Sequence, residues 1–530
     1  MNIKFSKYSI ALLAFAAVFN SCTGDFEELN TRPDALVASS LDASMVGPAF
    51  AQSQYHGLYG EHWRFQIAQS LFADLYCQYF ATTQVNFDSD RYTQVGGWSD
   101  AAWTSFYQMA APQIKFVEDY TAEHEMPLEN AIVKIWKVEA YHRITDYWGP
   151  IVYSQFGNQK SVVPYDSQEE IYRSFFVTLD EATTVLKQYA GKSVFPSHDQ
   201  IFNGSVDKWL VFANSLRLRL AMRVKYVDAA LAKTQAEKAV SDGVMVSNDD
   251  NAMLTPTINS RNPYWTITDW GEFRMSAAME SVLKGYDDPR AGEYFSPAVD
   301  GDDDGDGFPY EGLRNGLAKV DINGPVLNPQ HSDMAPLYLN DGRGGPAAGA
   351  PMRVMCSAEV YFLRAEGALT GWAMGGTVEE LYNKGIEMSL KERTAATAGE
   401  IAAYIASTST PAAVLDVYNT PPTSDIPVAF DAAGSAERKL EQIITQKWIA
   451  LYPDGWEAWT ELRRTGYPKL YDRLNSDNVD VPKNAIMRRL IFVTSEYTTN
   501  SSAVKDAVAL PEIAGKGGDK NSTHLWWDAK

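Results

Sequence analysis

Apolar residues recur at helical spacing along most of the chain. In the stretch 61–80, EHWRFQIAQSLFADLYCQYF, Trp63, Ile67, Leu71, Leu75 and Tyr79 fall on one stripe at i, i+4 steps, the pattern of an amphipathic helix. Residues 103–120 repeat it, and LENAIVKIWKVEAYHRITDYWGPI predicts a long helix that ends near Trp148-Gly149-Pro150. Ser167 opens a Ser-Gln-Glu-Glu capping box, with Glu170 placed to reach back to the cap amide, so a helix is predicted from there to about Tyr189. Residues 206–225 and 228–242 read as a further helix pair. Strand signals are few and short. The pattern predicts a mainly α protein with long loops.

Two later stretches sharpen this. Residues 351–392 read PMRVMCSAEVYFLRAEGALTGW, then Gly375-Gly376, then TVEELYNKGIEMSLKE. They place Ala358, Phe362, Ala365, Ala368, Tyr382, Gly385 and Ile386 where a tetratricopeptide-like pair sets small residues against aromatics. No strict period of that length runs along the chain, so such repeats are degenerate and interrupted by loops. Residues 446–468, QKWIALYPDGWEAWTELRRTGYP, read as helix, tight turn at Pro453-Asp454-Gly455, and second helix stopped by Gly466 and Pro468. Their three tryptophans are either a ligand surface or helix-pair core. Helical spacing of large apolar rings favours core.

The amino terminus has Lys4 and Lys7, an apolar run from Ile10 to Phe19, and Asn20-Ser21-Cys22. The run is too short to span a bilayer and reads as the h-region of an export signal, residues 1–21. A cysteine directly behind it resembles a bacterial lipoprotein cleavage site, which makes Cys22 the expected lipidation site; simple secretory cleavage is the alternative. Residues 22–42, beginning TGDFEELNTRPDAL after the cysteine, are acidic and turn-rich, as expected of a flexible tether. Residues 43–530 are expected to form a single α-helical domain, with a loop-rich ligand-binding insertion around 245–350.

Four features together resemble the SusD/RagB family of outer-membrane nutrient-binding lipoproteins: the leader with Cys22, the pair at 351–392, the Trp-rich 446–468, and MRRLIFVTSEYTTNSSAV at 487–504 with the closing HLWWD. In the last of these the family's Arg-containing strand-turn reads Tyr-Pro-x-x-Glu with a following Asn; here Phe492-Val493 replaces Tyr-Pro, while Glu496 and Asn500 match. The region 190–350 carries little of the resemblance. What the resemblance implies is a SusD-like α-helical fold displayed on the outer face of the outer membrane through a lipid on Cys22. It also implies capture of a nutrient without catalysis and hand-over to a SusC-like TonB-dependent transporter. A glycan is the leading ligand class and an oligopeptide the alternative.

Charge and cysteine content exclude other classes. Lys and Arg number 46 against 67 Asp and Glu, a formal charge of −21, and the leader contributes only Lys4 and Lys7, so the rest of the chain is more acidic still. Such a surface repels phosphate backbones, and nucleic acid is not an expected partner. The cysteines Cys22, Cys77 and Cys356 are too few for a disulfide framework or zinc site. Cys77 and Cys356 read as buried free thiols, with one bridge between them as the alternative.

Residues 300–311, DGDDDGDGFPYE, match the spacing of an EF-hand loop. Asp300, Asp302 and Asp304 would point inward, Asp306 would offer its carbonyl, and Glu311 would close the site. A structural calcium ion is therefore the one candidate cofactor, although Gly307 replaces the usual aliphatic and no flanking helices are evident; the alternative is a solvated acidic turn.

For ligand capture the expected contacts are loop aromatics. Trp98 lies in VGGWSD ahead of the Trp103 helix, where the resemblance implies a ligand position. Tyr264, Trp265 and Trp270 lie in NSRNPYWTITDWGEF beside Asn259, Arg261, Asn262 and Asp269. Flat apolar faces next to amides and carboxylates suit sugar rings, and also peptides; packing beneath a loop is the competing role for each. Among these, Trp98, Asn262, Tyr264, Trp265 and Trp270 are the expected ligand contacts. No GxSxG, HExxH or Walker loop is present. Two other readings stay open: a lipid-anchored glycoside hydrolase, which needs only two carboxylates, and a repeat scaffold that binds only protein.

Overall fold

The computed structural model describes residues 42–302 and 305–530. The expected leader, Cys22 and the tether up to residue 41 lie outside the described residues, as does Asp304. The chain divides into two compact units, Met1–Val46 and Gly47–Lys530. In the first, the described residues 42–46 start a helix whose entry is capped by the Asp42 carboxylate accepting the Ser44 N–H at 2.8 Å.

Helix dominates, as the periodicity predicts. Helices of eight residues or more run, in chain order, α1 (Ala43–Gly57), α2 (Gly96–Ser105), α3 (Ala111–Glu123), α4 (Pro127–Trp148), α5 (Gln168–Leu186), α6 (Val206–Arg223) and α7 (Ala229–Asp242). They continue as α8 (Ala277–Gly285), α9 (Ser357–Leu369), α10 (Val378–Arg393), α11 (Ala398–Ile405), α12 (Ala436–Leu451), α13 (Gly455–Thr465) and α14 (Ser501–Ala509). The capping box at Ser167 and Glu170 forms as expected, and Thr377 with Glu380 and Thr397 with Glu400 build two more. Each supplies acceptors to N–H groups that the first helical turn leaves unpaired. In the α9–α10 pair, Gly385 lies against the Phe362 ring, where a Cβ would approach to 2.8 Å. The small residue is there because nothing larger fits between the helices.

Two π-helical segments, Gln66–Asp74 and Phe106–Ala110, interrupt the predicted α periodicity. The wider i→i+5 register changes which residues share a face. Ile67, Leu71, Leu75 and Tyr79 are buried as the stripe predicts, but Trp63 leaves it and is 38% exposed.

The Trp-rich stretch is core. Trp448, Trp456 and Trp459 are buried, and their indole N–H groups donate to the carbonyls of Cys77, Arg143 and Met487 at 3.0, 2.9 and 2.9 Å. Trp456 stacks on Tyr147 with centroids 3.6 Å apart. Around them runs a buried ionic network that joins four helices. Arg219 and Arg223 of α6 meet Glu359 of α9 and Glu457 of α13 at 2.7 and 2.5 Å, and Lys447 of α12 meets Glu461 of α13 at 3.2 Å.

The strands are short. β1 (Phe80–Thr82), β2 (Ala252–Leu254), β3 (Phe273–Met275) and β4 (Met352–Met355) make two antiparallel pairs, β1 with β3 and β2 with β4. The first pair aligns Phe80 with Met275 and Thr82 with Phe273. The strand-turn expected near Arg488 is corrected: among the described residues, 487–493 joins no sheet. It is extended and held by single bonds, Leu490 N–H to the Tyr147 carbonyl at 2.9 Å and Arg489 to Asp519 at 2.6 Å. Cys77 and Cys356 are both buried free thiols. Among the described residues no helix is long and apolar enough to cross a membrane.

Candidate ligand-binding surface

Pairing of β3 with β1 fixes the segment that carries the most exposed of the expected aromatics. Trp270 ends a short 3-10 turn, and Gly271 then takes a left-handed conformation, φ +62°, that swings the chain into β3. This is a turn a side-chain-bearing residue adopts only with strain. The Gly271 carbonyl accepts from Asn328 Nδ2 at 2.7 Å and from Thr83 Oγ1 at 3.1 Å. Two residues, Gly271 and Glu272, therefore separate a fixed Trp270 from Phe273.

Phe273 opens a series of ring contacts that ends at Trp98. Phe87 lies 5.6 Å from Phe273 and meets Trp98 edge-on at 5.6 Å. Ile67 and Leu71 of the π-helical segment form the floor beneath. Trp98 itself stands in the first turn of α2, half-buried, rather than in a loop. At the other end Trp270, 40% exposed, lies 5.5 Å from the His62 ring, and Trp63 follows in the chain with the Arg64 guanidinium 4.1 Å over its ring. Polar groups punctuate the series. Gln66 Nε2 donates to Glu272 Oε2 at 2.6 Å. Burial raises the Glu272 carboxyl above its ordinary range, against the hydrogen bonds from Gln66 and Gln84. Arg343 bridges Asp269 and Asp333 at 3.1 and 2.5 Å.

The structure thus places Trp98 in a ring series that reaches Phe273, three positions after Trp270 in the chain, and sets His62, with Trp63 next to it in sequence, against Trp270; His62 and Trp63 are residues that sequence reasoning missed. Trp63 was assigned to the buried stripe, and the structure turns it out to solvent in the short helical turn before the π segment. Trp265 is half-buried under another loop, with Arg261 4.1 Å over its ring and its N–H donating to the Pro346 carbonyl at 3.1 Å. Tyr264 and Asn262 correct the expectation of loop-borne contacts, because both are buried and their polar groups are engaged inside the fold. The Tyr264 hydroxyl donates to Asp74 Oδ2 at 2.8 Å. Asn262 donates to the Ala350 carbonyl and accepts the Tyr264 N–H, both at 2.9 Å. They brace the segment from beneath.

Asp74, at the end of the π-helical segment, gives this brace a pH dependence. Burial raises its carboxyl from 3.8 to about 7, against hydrogen bonds from Tyr264 and Gln69 and with a further push from Asp454. The folded state therefore binds the proton more tightly than the unfolded chain. The group's contribution to stability falls as pH rises from about 4 to 7 and is level above that. Asp74→Asn removes this slope, so its melting temperature relative to wild type is expected to be higher at pH 8 than at pH 5. Parallel pH profiles for the two proteins would contradict the assignment.

The acidic loop is tied up internally. Asp302 accepts the N–H groups of Gly305, Asp306 and Gly307 at 2.8, 3.1 and 2.8 Å, and Asp306 pairs with Lys284 at 2.5 Å. Among the described residues no three His, Cys, Asp or Glu side chains converge as a metal site; Asp300 and Glu311 are described, Asp304 is not. The calcium expectation is read by chelation: a melting temperature unchanged in EDTA would leave the loop a solvated acidic turn. A drop reversed by added calcium would show that the loop loads the ion.

As a whole, the surface offers indole faces at intervals with carboxylate and amide groups between them, an arrangement that stacks on the C–H faces of rings and accepts hydrogen bonds from hydroxyls. A family model described as SusD-like, the Susd and RagB outer membrane lipoproteins, matches residues 28–528. Solved structures agree. A chitin-binding SusD homolog from Flavobacterium johnsoniae is 37% identical, with 91% of this chain and 98% of that one covered at a TM-score of 0.82. A susD homolog from Bacteroides thetaiotaomicron is 32% identical, covering 92% and 99%, TM-score 0.82. One from Bacteroides ovatus is 31% identical, covering 92% and 100%, TM-score 0.83. Comparison with curated proteins gave no match.

Proposed function

The chain belongs to the SusD-like family of outer membrane lipoproteins, and we propose that it captures a glycan at the surface running from Trp98 to Trp270 and Trp63. The observation that carries this reading is the set of exposed or half-exposed indole rings held on rigid supports, the π-helical segment and β3, with carboxylate and amide groups between them. Rigid aromatic anchors lose little conformational freedom on binding, which favours their use in recognition. The relative from Flavobacterium johnsoniae that binds chitin supports a glycan over a peptide as the ligand class.

In this reading Cys22 carries the lipid, the body faces the cell exterior, and the captured glycan passes to a SusC-like TonB-dependent transporter. No bond is made or broken, so the ligand must be released intact. Incubating the purified protein with oligosaccharides of glucose, N-acetylglucosamine, mannose and xylose tests both halves of the proposal. At least one should be retained and recovered unchanged by mass. Appearance of shorter products would replace binding with hydrolysis, and retention of none would remove the glycan assignment.

A further inference from the structure

A polar pit lies against the segment that Tyr264 braces. It is walled by Leu58, Phe65 and Met352, with exposed Pro351 on its edge, and it is lined by Arg143, Arg353 and Asp454. Those three side chains come from α4, β4 and the N-cap of α13, and they are only 4%, 8% and 5% exposed. Each carries one buried polar atom that meets no hydrogen-bond partner among the described residues: Arg143 Nε, Arg353 Nε and Asp454 Oδ2. The Asp454 oxygen lies 3.6 Å from Arg143 Nη1, beyond hydrogen-bond length. The other polar side chains of the pit are engaged. Gln69 donates to Asp74 and to the Pro453 carbonyl at 3.1 and 3.2 Å, Asn262 donates to Ala350, and Tyr264 donates to Asp74. Buried polar atoms of folded proteins almost always have a partner, because an unmade bond forfeits the hydration that the unfolded chain enjoys. Three such atoms around one pit therefore point to a bound group.

The unmet set, two donors and one acceptor, selects the occupant. A simple anion accepts from the two guanidinium N–H groups but leaves Asp454 Oδ2 facing it, while a cation satisfies Asp454 and repels the guanidiniums. Each guanidinium already faces a carboxylate, Arg143 that of Asp454 and Arg353 that of Glu392, so neither calls for a counter-ion. A hydroxyl oxygen accepts twice and donates once, which answers all three atoms together. The pit's volume of about 30 Å³ admits a water, which needs about 10–15 Å³. We infer that the pit binds one water molecule, which accepts from Arg143 Nε and Arg353 Nε and donates to Asp454 Oδ2. Arg143 Nη2 donates to Gln69 Oε1 at 3.3 Å, Gln69 in turn reaches Asp74, and Asp74 holds the Tyr264 hydroxyl. The water is thus the far end of the hydrogen-bonded chain that braces the aromatic segment, and it ties α4, β4 and the start of α13 to that chain. The inference does not depend on what the aromatic surface binds.

The test is a high-resolution crystal structure of the wild-type protein, with a second data set from a crystal soaked in sodium bromide. The expected result is a single density peak refining as a fully occupied oxygen, at about 2.7–3.2 Å from Arg143 Nε, Arg353 Nε and Asp454 Oδ2. The bromide crystal should show no anomalous peak in the pit. A bromide peak there would make the pit an anion site. Density that meets only one of the three atoms would reduce it to ordinary surface hydration, and no density at all would show that these atoms hold no ligand. Each of these three results overturns the proposal.

Discussion

Replacing Arg464 with methionine is expected to destabilise the protein by about 3–5 kcal/mol, the cost typical of removing one partner from a buried ion pair. Arg464 is fully buried and holds two carboxylates. Its Nη1 and Nη2 reach Glu366 at 2.8 and 2.6 Å, and its Nε and Nη2 reach Glu461 at 2.9 and 2.6 Å. Burial alone would raise the Glu366 carboxyl, yet Arg464 and Lys225 hold it at about 2. As an acid with a depressed value it stabilises the fold above its ordinary 4.5 and loses that contribution as pH falls toward 2. Without Arg464, Glu366 keeps Lys225 at 3.1 Å, while Glu461 keeps Arg223 and Lys447 at 3.0 and 3.2 Å. Both carboxylates remain buried with fewer donors. Urea unfolding of wild type and variant reads the difference, and the double variant Arg464→Met with Glu366→Gln should recover part of it through non-additivity. A loss under about 1 kcal/mol, the range of an exposed pair, would mean that the network does not tie these helices together.

The second large effect falls on binding. Trp270→Ala removes an exposed ring whose only ring neighbour among the described residues is His62, so the fold should survive while a glycan loses a stacking face. Trp98→Ala removes the half-buried end of the series over Phe87 and costs some packing as well. Aromatic anchors at recognition surfaces commonly contribute about 2 kcal/mol or more, so each variant should bind roughly thirtyfold more weakly at that figure. Tyr264→Phe serves as a comparison. It leaves the ring among Phe65 and Phe80 but takes away the hydroxyl bonded to Asp74, so it should lower stability more than affinity.

Much of the scaffold was legible because its elements are long and their signals local. The capping box at Ser167 needs only four residues to be read, and the three tryptophans of 446–468 announce a core by spacing alone. The buried ionic network was not legible in the same way. Arg219 and Arg223 look like a solvated helix face in sequence, yet both are buried, because their partners Glu359 and Glu457 arrive from helices far along the chain. The π register at Gln66–Asp74 was equally hidden, since nothing in the apolar pattern distinguishes an i→i+4 stripe from one widened by a residue.

The same limit governed the site. Trp98 and Trp270 were found as aromatics at turns and helix starts, and the structure sets Trp98 against Phe87 and Phe273 and Trp270 against His62, three neighbours that carried no signal. Asn262 and Tyr264 had the same local surroundings as Trp270, eight and six residues away, but the loop around Ala350 covers one and Asp74 claims the other. Whether a loop aromatic faces water is decided by what folds over it. Sequence proximity does not carry that information.

Glycan capture at the aromatic surface is tested most directly by titrating wild type, Trp98→Ala and Trp270→Ala with N-acetylglucosamine oligomers and with each oligosaccharide retained in the panel. Saturable binding by the wild type that falls roughly thirtyfold in each variant, with melting temperature nearly unchanged in Trp270→Ala, is the expected result. Equal affinities in all three proteins would place the glycan elsewhere and contradict the assignment of this surface.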